Sequence, residues 1–160
     1  NVAILMGKLD NEGALKRTAG NEEVQKNKYP GIKILDKQTG QWQRNEGLAK
    51  TEDWLNRFGK DLNAILANND DMALGAIQAL KASKMLDKTI VAGVDATQDA
   101  LASMKAGELK VTVFQNAKAQ GQGAIDAAIK LIKKEKVERF VNVPFELVTP
   151  ENMGQYAAPK

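Results

Sequence analysis

The chain has 160 residues, a length suited to one hydrophobic core, and its 43% hydrophobic and 27% charged composition is that of an ordinary globular domain, not a disordered or fibrous one. It contains neither cysteine nor histidine, which excludes disulfide staples, thiolate zinc sites, cysteine nucleophiles and histidine-based triads, and leaves any zinc, copper or haem site without its commonest ligand. Net charge is +3, but 23 basic residues are interleaved with 20 acidic ones, so no basic face for nucleic acid or membrane is indicated.

Taken in order, Val2–Met6 predicts a first strand, followed by the loop Gly7–Gly13 and a helix that carries Arg17 just inside its start. Pro30-Gly31 marks a turn into a second strand at Ile32–Leu35, and the loop Lys37–Arg44 holds Trp42. Leu48, Thr51, Leu55 and Phe58 line one face of the next helix by their i, i+3, i+7, i+10 spacing. A third strand at Asn63–Ala67 leads through Asn68–Asp71 into a helix whose apolar face is Ala73, Ile77 and Leu80. The fourth strand, Thr89–Val94, is followed by the loop Asp95–Asp99, where Thr97 can cap a helix over Gln98–Met104. Lys110–Phe114 is the fifth strand, ending in the loop Gln115–Ala117. A helix built on Ile125, Ile129 and Ile132 then ends in Lys133-Lys134-Glu135-Lys136, a solvated last turn whose cations suit the negative pole of the dipole. Phe140–Val148 follows, and Thr149-Pro150 opens a short terminal helix.

Strands separated by helices of this length cannot pair as hairpins, so the fold class is α/β with a doubly wound parallel sheet. Apolar strand runs suggest helices on both faces, and ligands in such sheets bind beyond the carboxyl ends of the strands.

Several chemistries lack their residues. Gly7-Lys8 opens its loop and Gly13 closes it without a following lysine, so no phosphate loop forms; Gly121-Gln122-Gly123 supplies two of the three glycines of a dinucleotide fingerprint, and too late in the chain. Asp70 and Asp71 point in different directions on a helix, so no catalytic pair is assigned, and Asp70 suits the positive end of the helix dipole. No catalytic residue, metal site or cofactor is expected. The longest apolar runs fall far short of the ~20 residues that cross a bilayer, and no leader pattern opens the chain, so a secretion signal is expected to have been removed or never present; the missing initiator Met suggests a processed or excised chain.

At the strand ends stand Arg17, Trp42, Asn69, the weaker candidate Asp70, Asp95 and Gln115. Arginine, aspartate, asparagine and glutamine present forked donors and acceptors, and an indole covers an apolar disc, which together match a sugar or cyclitol. Each also has a plain reading: Arg17 a solvated charge, Trp42 a core or loop anchor, Asn69 a turn residue, Asp95 a helix cap. Their coincidence at one rim favours a binding role.

Ala64–Leu80, with its Asn-Asn-Asp turn and Met-Ala-Leu-Gly-Ala helix, resembles periplasmic sugar-binding proteins of the ribose, galactose and inositol type. Gly93-Val94-Asp95-Ala96 resembles that family's next strand end, Ala106-Gly107-Glu108-Leu109 its lead into the fifth strand, and Val143-Pro144-Phe145 its C-terminal crossing. The resemblance spans essentially the whole chain. It implies one lobe of a type I periplasmic binding protein-like fold, in which residues 1–115 and 145–160 form the second lobe and 116–144 returns to a first lobe absent here. It casts Arg17 as the sugar-binding arginine, Trp42 as the aromatic stacker, Asn69 as the turn asparagine, Asp95 as the carboxylate gripping hydroxyls and Gln115 as the polar residue entering the hinge. Gly13 stands where galactose-type members often carry aspartate, which argues against a strict galactose pattern, while Gln115 leans towards the ribose or inositol types.

The implied partners are a monosaccharide or cyclitol and an ABC permease of the inner membrane, in the periplasm and without nucleic acid. The missing lobe would leave the helix over 121–134 exposed, inviting a cleaved other half or self-association, since each aliphatic side chain left unburied forgoes roughly 1.5–3 kcal/mol. The effector-binding core of a LacI-type repressor, which shares the fold and a similar Asn-Asp-x-Met-Ala turn, is the alternative, and a flavodoxin-like enzyme is a third reading.

Overall fold

The computed structural model describes residues 1–157; positions 158–160, the end of the segment assigned to the second lobe, lie outside the described residues. Strands and helices alternate: β1 (Val2–Met6), α1 (Glu12–Lys28), β2 (Ile34–Thr39), α2 (Arg44–Phe58), β3 (Ala64–Ala67), α3 (Asp70–Ala82), β4 (Ile90–Ala92), α4 (Gln98–Lys105), β5 (Thr112–Phe114), α5 (Ala117–Ile132) and β6 (Glu146–Val148). The sheet runs β2-β1-β3-β4 with every pair parallel, and β5 extends it beyond β4 through parallel bridges at Ala92–Val111 and Asp95–Phe114. This is the expected doubly wound α/β sheet, closed at its edge by one exception, β6, which runs antiparallel to β5 with Val148 opposite Thr112.

The core lies between the sheet and the layer of α2, α3 and α4. Ala3, Leu5, Ile65, Val91, Leu62, Leu109 and Val148 meet Met72, Ala73, Ile77, Leu80, Leu101 and Met104, with Trp54 fully enclosed beneath α2. Trp54 lies beyond the face read from Leu48, Thr51, Leu55 and Phe58, of which only Thr51 is fully buried. Helix α3 is buried almost all round because it is held between the sheet and both neighbouring helices.

Three local expectations are corrected. The second strand starts two residues later and runs on through Asp36-Lys37-Gln38-Thr39, since an edge strand tolerates polar side chains that reach neighbouring helices. The terminal helix shrinks to a 3₁₀ turn at Met153–Gln155, preceded by a turn in which Asn152 accepts from the Thr149 N–H and donates to the Leu147 carbonyl. Helices do not cover both faces throughout. On the α1 side, Leu66, Ala92, Val94, Val111 and Val113 stay half-exposed and, with Phe145, line an open groove of about 470 Å³.

Candidate functional site

The carboxyl ends of β1 to β5 converge on Arg17. Helix α1, capped by Asn11, carries it over the sheet, where Nη1 donates to the Asn68 carbonyl at 2.6 Å and Nη2 to Gln115 Oε1 at 3.0 Å. The Asp95 carboxylate stands 3.9 Å from Nη1, and the guanidinium lies 5.7 Å from the centre of the Trp42 ring. The side chains of Arg17 and Asp95 keep 22% and 28% of their surface, so both hold unused polar capacity at the rim.

Trp42 reaches the cluster by an unusual backbone path. Gln41 and Trp42 adopt φ of 54° and 67°, a left-handed conformation that costs a residue with a Cβ about 1–3 kcal/mol. The indole lies against Gly7, where an added Cβ would fall 2.1 Å from its ring. It is half-buried and also packs on the core, so the anchor reading of Trp42 holds in part. Asn69 caps α3 by accepting from the Met72 N–H at 3.1 Å and donates to the Trp42 carbonyl at 3.2 Å, which leaves it one N–H and one acceptor lone pair. Asp95 is not a cap; that task falls to Thr97, which accepts from the Ala100 N–H. Asp95 and Ala96 again have positive φ, 124° and 54°. Burial pushes the Asp95 carboxyl above its ordinary value, against the pull of Arg17 and of the Asp70 N–H.

The structure therefore brings Arg17, Trp42, Asn69, Asp95 and Gln115 together by direct contact along one rim. Asp70 does not belong with them. It is fully buried, its oxygens accept from the Thr112 hydroxyl and the Thr97 N–H, and nothing of it is left to face a ligand. Burial pushes its carboxyl up to about 6, with Asp95 adding to the rise, while its bonds to Thr112 and Thr97 oppose it.

Sequence reasoning missed the supports. Asn68, also fully buried, accepts from the Gly7 N–H and the Thr18 hydroxyl, both at 3.2 Å, and so joins β3, the β1 loop and α1 behind Arg17. The Thr39 hydroxyl donates to the Gly7 carbonyl at 2.7 Å. The signal available in the sequence is the doubled asparagine of Asn68-Asn69 at a strand end. Among the described residues no group of three or more acidic side chains is placed to hold a metal ion, and no helix is long and apolar enough to cross a membrane.

Residues 1–136 match the family model described as a periplasmic binding protein domain. A Rhizobium meliloti protein described as a rhizopine-binding protein is 48% identical over 96% of this chain and 50% of its own length. A xylitol-binding protein of Mycolicibacterium smegmatis is 35% identical over 96% of this chain and 43% of its own. Among solved structures, an ABC transporter solute binding protein from Bacillus halodurans with bound myo-inositol superposes with a TM-score of 0.91 at 46% identity, covering 98% of this chain and 53% of that one. The chain spans about half the length of the relatives it matches.

Proposed function

We propose, given that this chain belongs to the periplasmic binding protein domain family, that it is one jaw of a two-lobed, non-enzymatic receptor for a monosaccharide or cyclitol. Residues 1–115 and the segment from 145 onward form the second lobe, and 116–144 leads back to a first lobe. The carrying observation is the contact between Arg17 and each of Trp42, Asp95 and Gln115 at the strand ends. A polyhydroxylated ring presents hydroxyls that both donate and accept; the Asp95 carboxylate, Arg17 and Gln115 supply the complementary groups, Asn69 adds its remaining N–H, and the Trp42 indole supplies apolar surface for ring C–H groups. Ligand bridging two lobes would favour a closed state for an ABC permease to read, in the periplasm. The myo-inositol, xylitol and rhizopine named for its relatives define the first compounds to try. Nothing on this chain favours the LacI-type repressor reading over this one.

Calorimetry of the two-lobed protein with myo-inositol, xylitol, D-ribose and D-galactose tests the proposal. One of these should bind, and Trp42→Ala should weaken it by about 1–3 kcal/mol, the range of buried aromatic contacts. The 160-residue chain alone should bind weakly, because it holds half the site. Submillimolar affinity of the single jaw, or a Trp42→Ala variant that binds as well as the parent, would contradict the arrangement.

A further inference from the structure

Asp70 is an ionisable side chain with no exposed surface, directly below the rim. Its contacts all lead to one short segment. Oδ2 accepts from the Thr97 N–H at 2.9 Å, and Oδ1 accepts from the Thr112 hydroxyl at 2.7 Å, whose oxygen in turn accepts from the Ala96 N–H at 3.2 Å. The Asp70 N–H donates to the Val94 carbonyl at 2.8 Å. The stretch from Val94 to Thr97 is thus gripped at both ends from the first turn of α3, and between the grips lie Asp95 and Ala96 in their positive-φ conformations. Gly93 completes the fit: a Cβ there would stand 2.3 Å from Asp70 Oδ1, so the carboxylate reaches its partners only because residue 93 has no side chain.

We infer that Asp70 is a positioning residue of the ligand site, holding the Asp95–Ala96 turn so that the Asp95 carboxylate faces the rim beside Arg17. The inference rests on the reading that Asp95 contacts the ligand. A strained turn persists only where its surroundings over-determine it, and these hydrogen bonds do so. Burial opposes the ionised form of Asp70, yet its two oxygens are what grip Thr97 and Thr112 together, and an apolar residue there would leave both donors unpaired.

A double-mutant cycle in the two-lobed protein distinguishes positioning from a generic core role. Affinity for whichever of myo-inositol, xylitol, D-ribose and D-galactose the parent binds is measured by calorimetry for the parent, Asp70→Asn, Asp95→Asn and the double variant, with thermal unfolding of each alongside. Asp70→Asn keeps the size but turns one acceptor into an N–H donor. It should weaken binding about 10-fold when Asp95 is present and less than about 2-fold in the Asp95→Asn background, because a residue that acts through Asp95 has little left to lose there. Should Asp70→Asn fail to fold, Thr112→Val, which removes one donor and leaves Asp70 in place, should show the same coupling with a loss of about 3-fold. Equal losses in both backgrounds, or no loss at all, would overturn the positioning role alone. A parent that binds none of the four, or an Asp95→Asn variant that binds like the parent, would overturn the site reading and this inference with it.

Discussion

Arg17 commits both ends of its guanidinium to the protein, on the Asn68 carbonyl and Gln115 Oε1, and so is held in place without a ligand. On the proposed function, such preorganisation would lower the ordering cost of binding, because the arginine's rotamers are already restricted. Asp36 is another residue defined by its partners, here for stability. Burial alone would raise its carboxyl, but hydrogen bonds from Gln38, the Trp54 indole, Arg57 and the Lys37 N–H outweigh that and bring it down to about 2. A carboxyl whose folded value lies below its unfolded value adds stability that is fully present above the unfolded pKa and is lost as pH falls towards the folded one. The Asp36→Asn variant should therefore be less stable than the parent by about 2 kcal/mol at neutral pH. The gap should close as pH falls from about 4 to about 2. Urea unfolding of both proteins across that range checks it, and a gap independent of pH would place the effect in packing instead of charge.

At the scale of elements, α2 and α3 pack closely against each other. Gly75 of α3 faces the first turn of α2, where an added Cβ would lie 1.9 Å from the Arg44 carbonyl oxygen and 2.8 Å from the Leu48 nitrogen. Both neighbours are backbone, so relief requires the helices to move apart and unpack Met72 and Trp54 from the core they share. Gly75→Ala, which would stabilise a free helix by about 1 kcal/mol, should here destabilise by about 3 kcal/mol, the upper end of overpacking costs. The midpoint of urea denaturation reads this directly; a change below about 0.5 kcal/mol would mean the helices part easily. Arg44 also joins three helix starts, pairing with Asp71 of α3 at 2.8 Å and Asp99 of α4 at 2.9 Å. These pairs are substantially exposed, so they orient the elements more than they stabilise them.

For the whole molecule, the distribution of apolar surface is the feature that calls for a partner. Helix α5 has no buried residue; Ile125, Leu131 and Ile132 are 63%, 64% and 81% exposed, and Phe140 is 78% exposed. Its small-residue face at Gly123, Ala124 and Ala127 shares an open groove with Val141, Asn142 and Val143. Together with the half-covered sheet face beside α1, this leaves a set of large apolar side chains exposed, the kind of surface that marks an interaction site. Light scattering on the 160-residue chain should find a mass that rises with concentration. The triple variant Ile125→Asn, Ile129→Asn, Ile132→Asn should lower that mass. A stable monomer whose α5 amides resist hydrogen exchange would show that the helix needs no other surface.

The order of strands and helices was readable from the sequence because apolar runs of strand length alternate with helical spacing, and both periods are local properties of the chain. The rim was readable from topology and from the family resemblance together: in a parallel sheet the residues after each strand gather at one edge, which places Trp42, Asn69, Asp95 and Gln115, while Arg17, in the second turn of α1, rested on the resemblance as well. The burial of Asp70 was not readable. Whether a carboxylate at a helix start faces solvent or is enclosed depends on a hydroxyl 42 residues away on β5, a contact that exists only once the sheet is assembled. The antiparallel direction of β6, the continuation of β2 through polar residues, and the open face beside α1 have the same origin, since each is set by which neighbour a segment meets and not by its own composition.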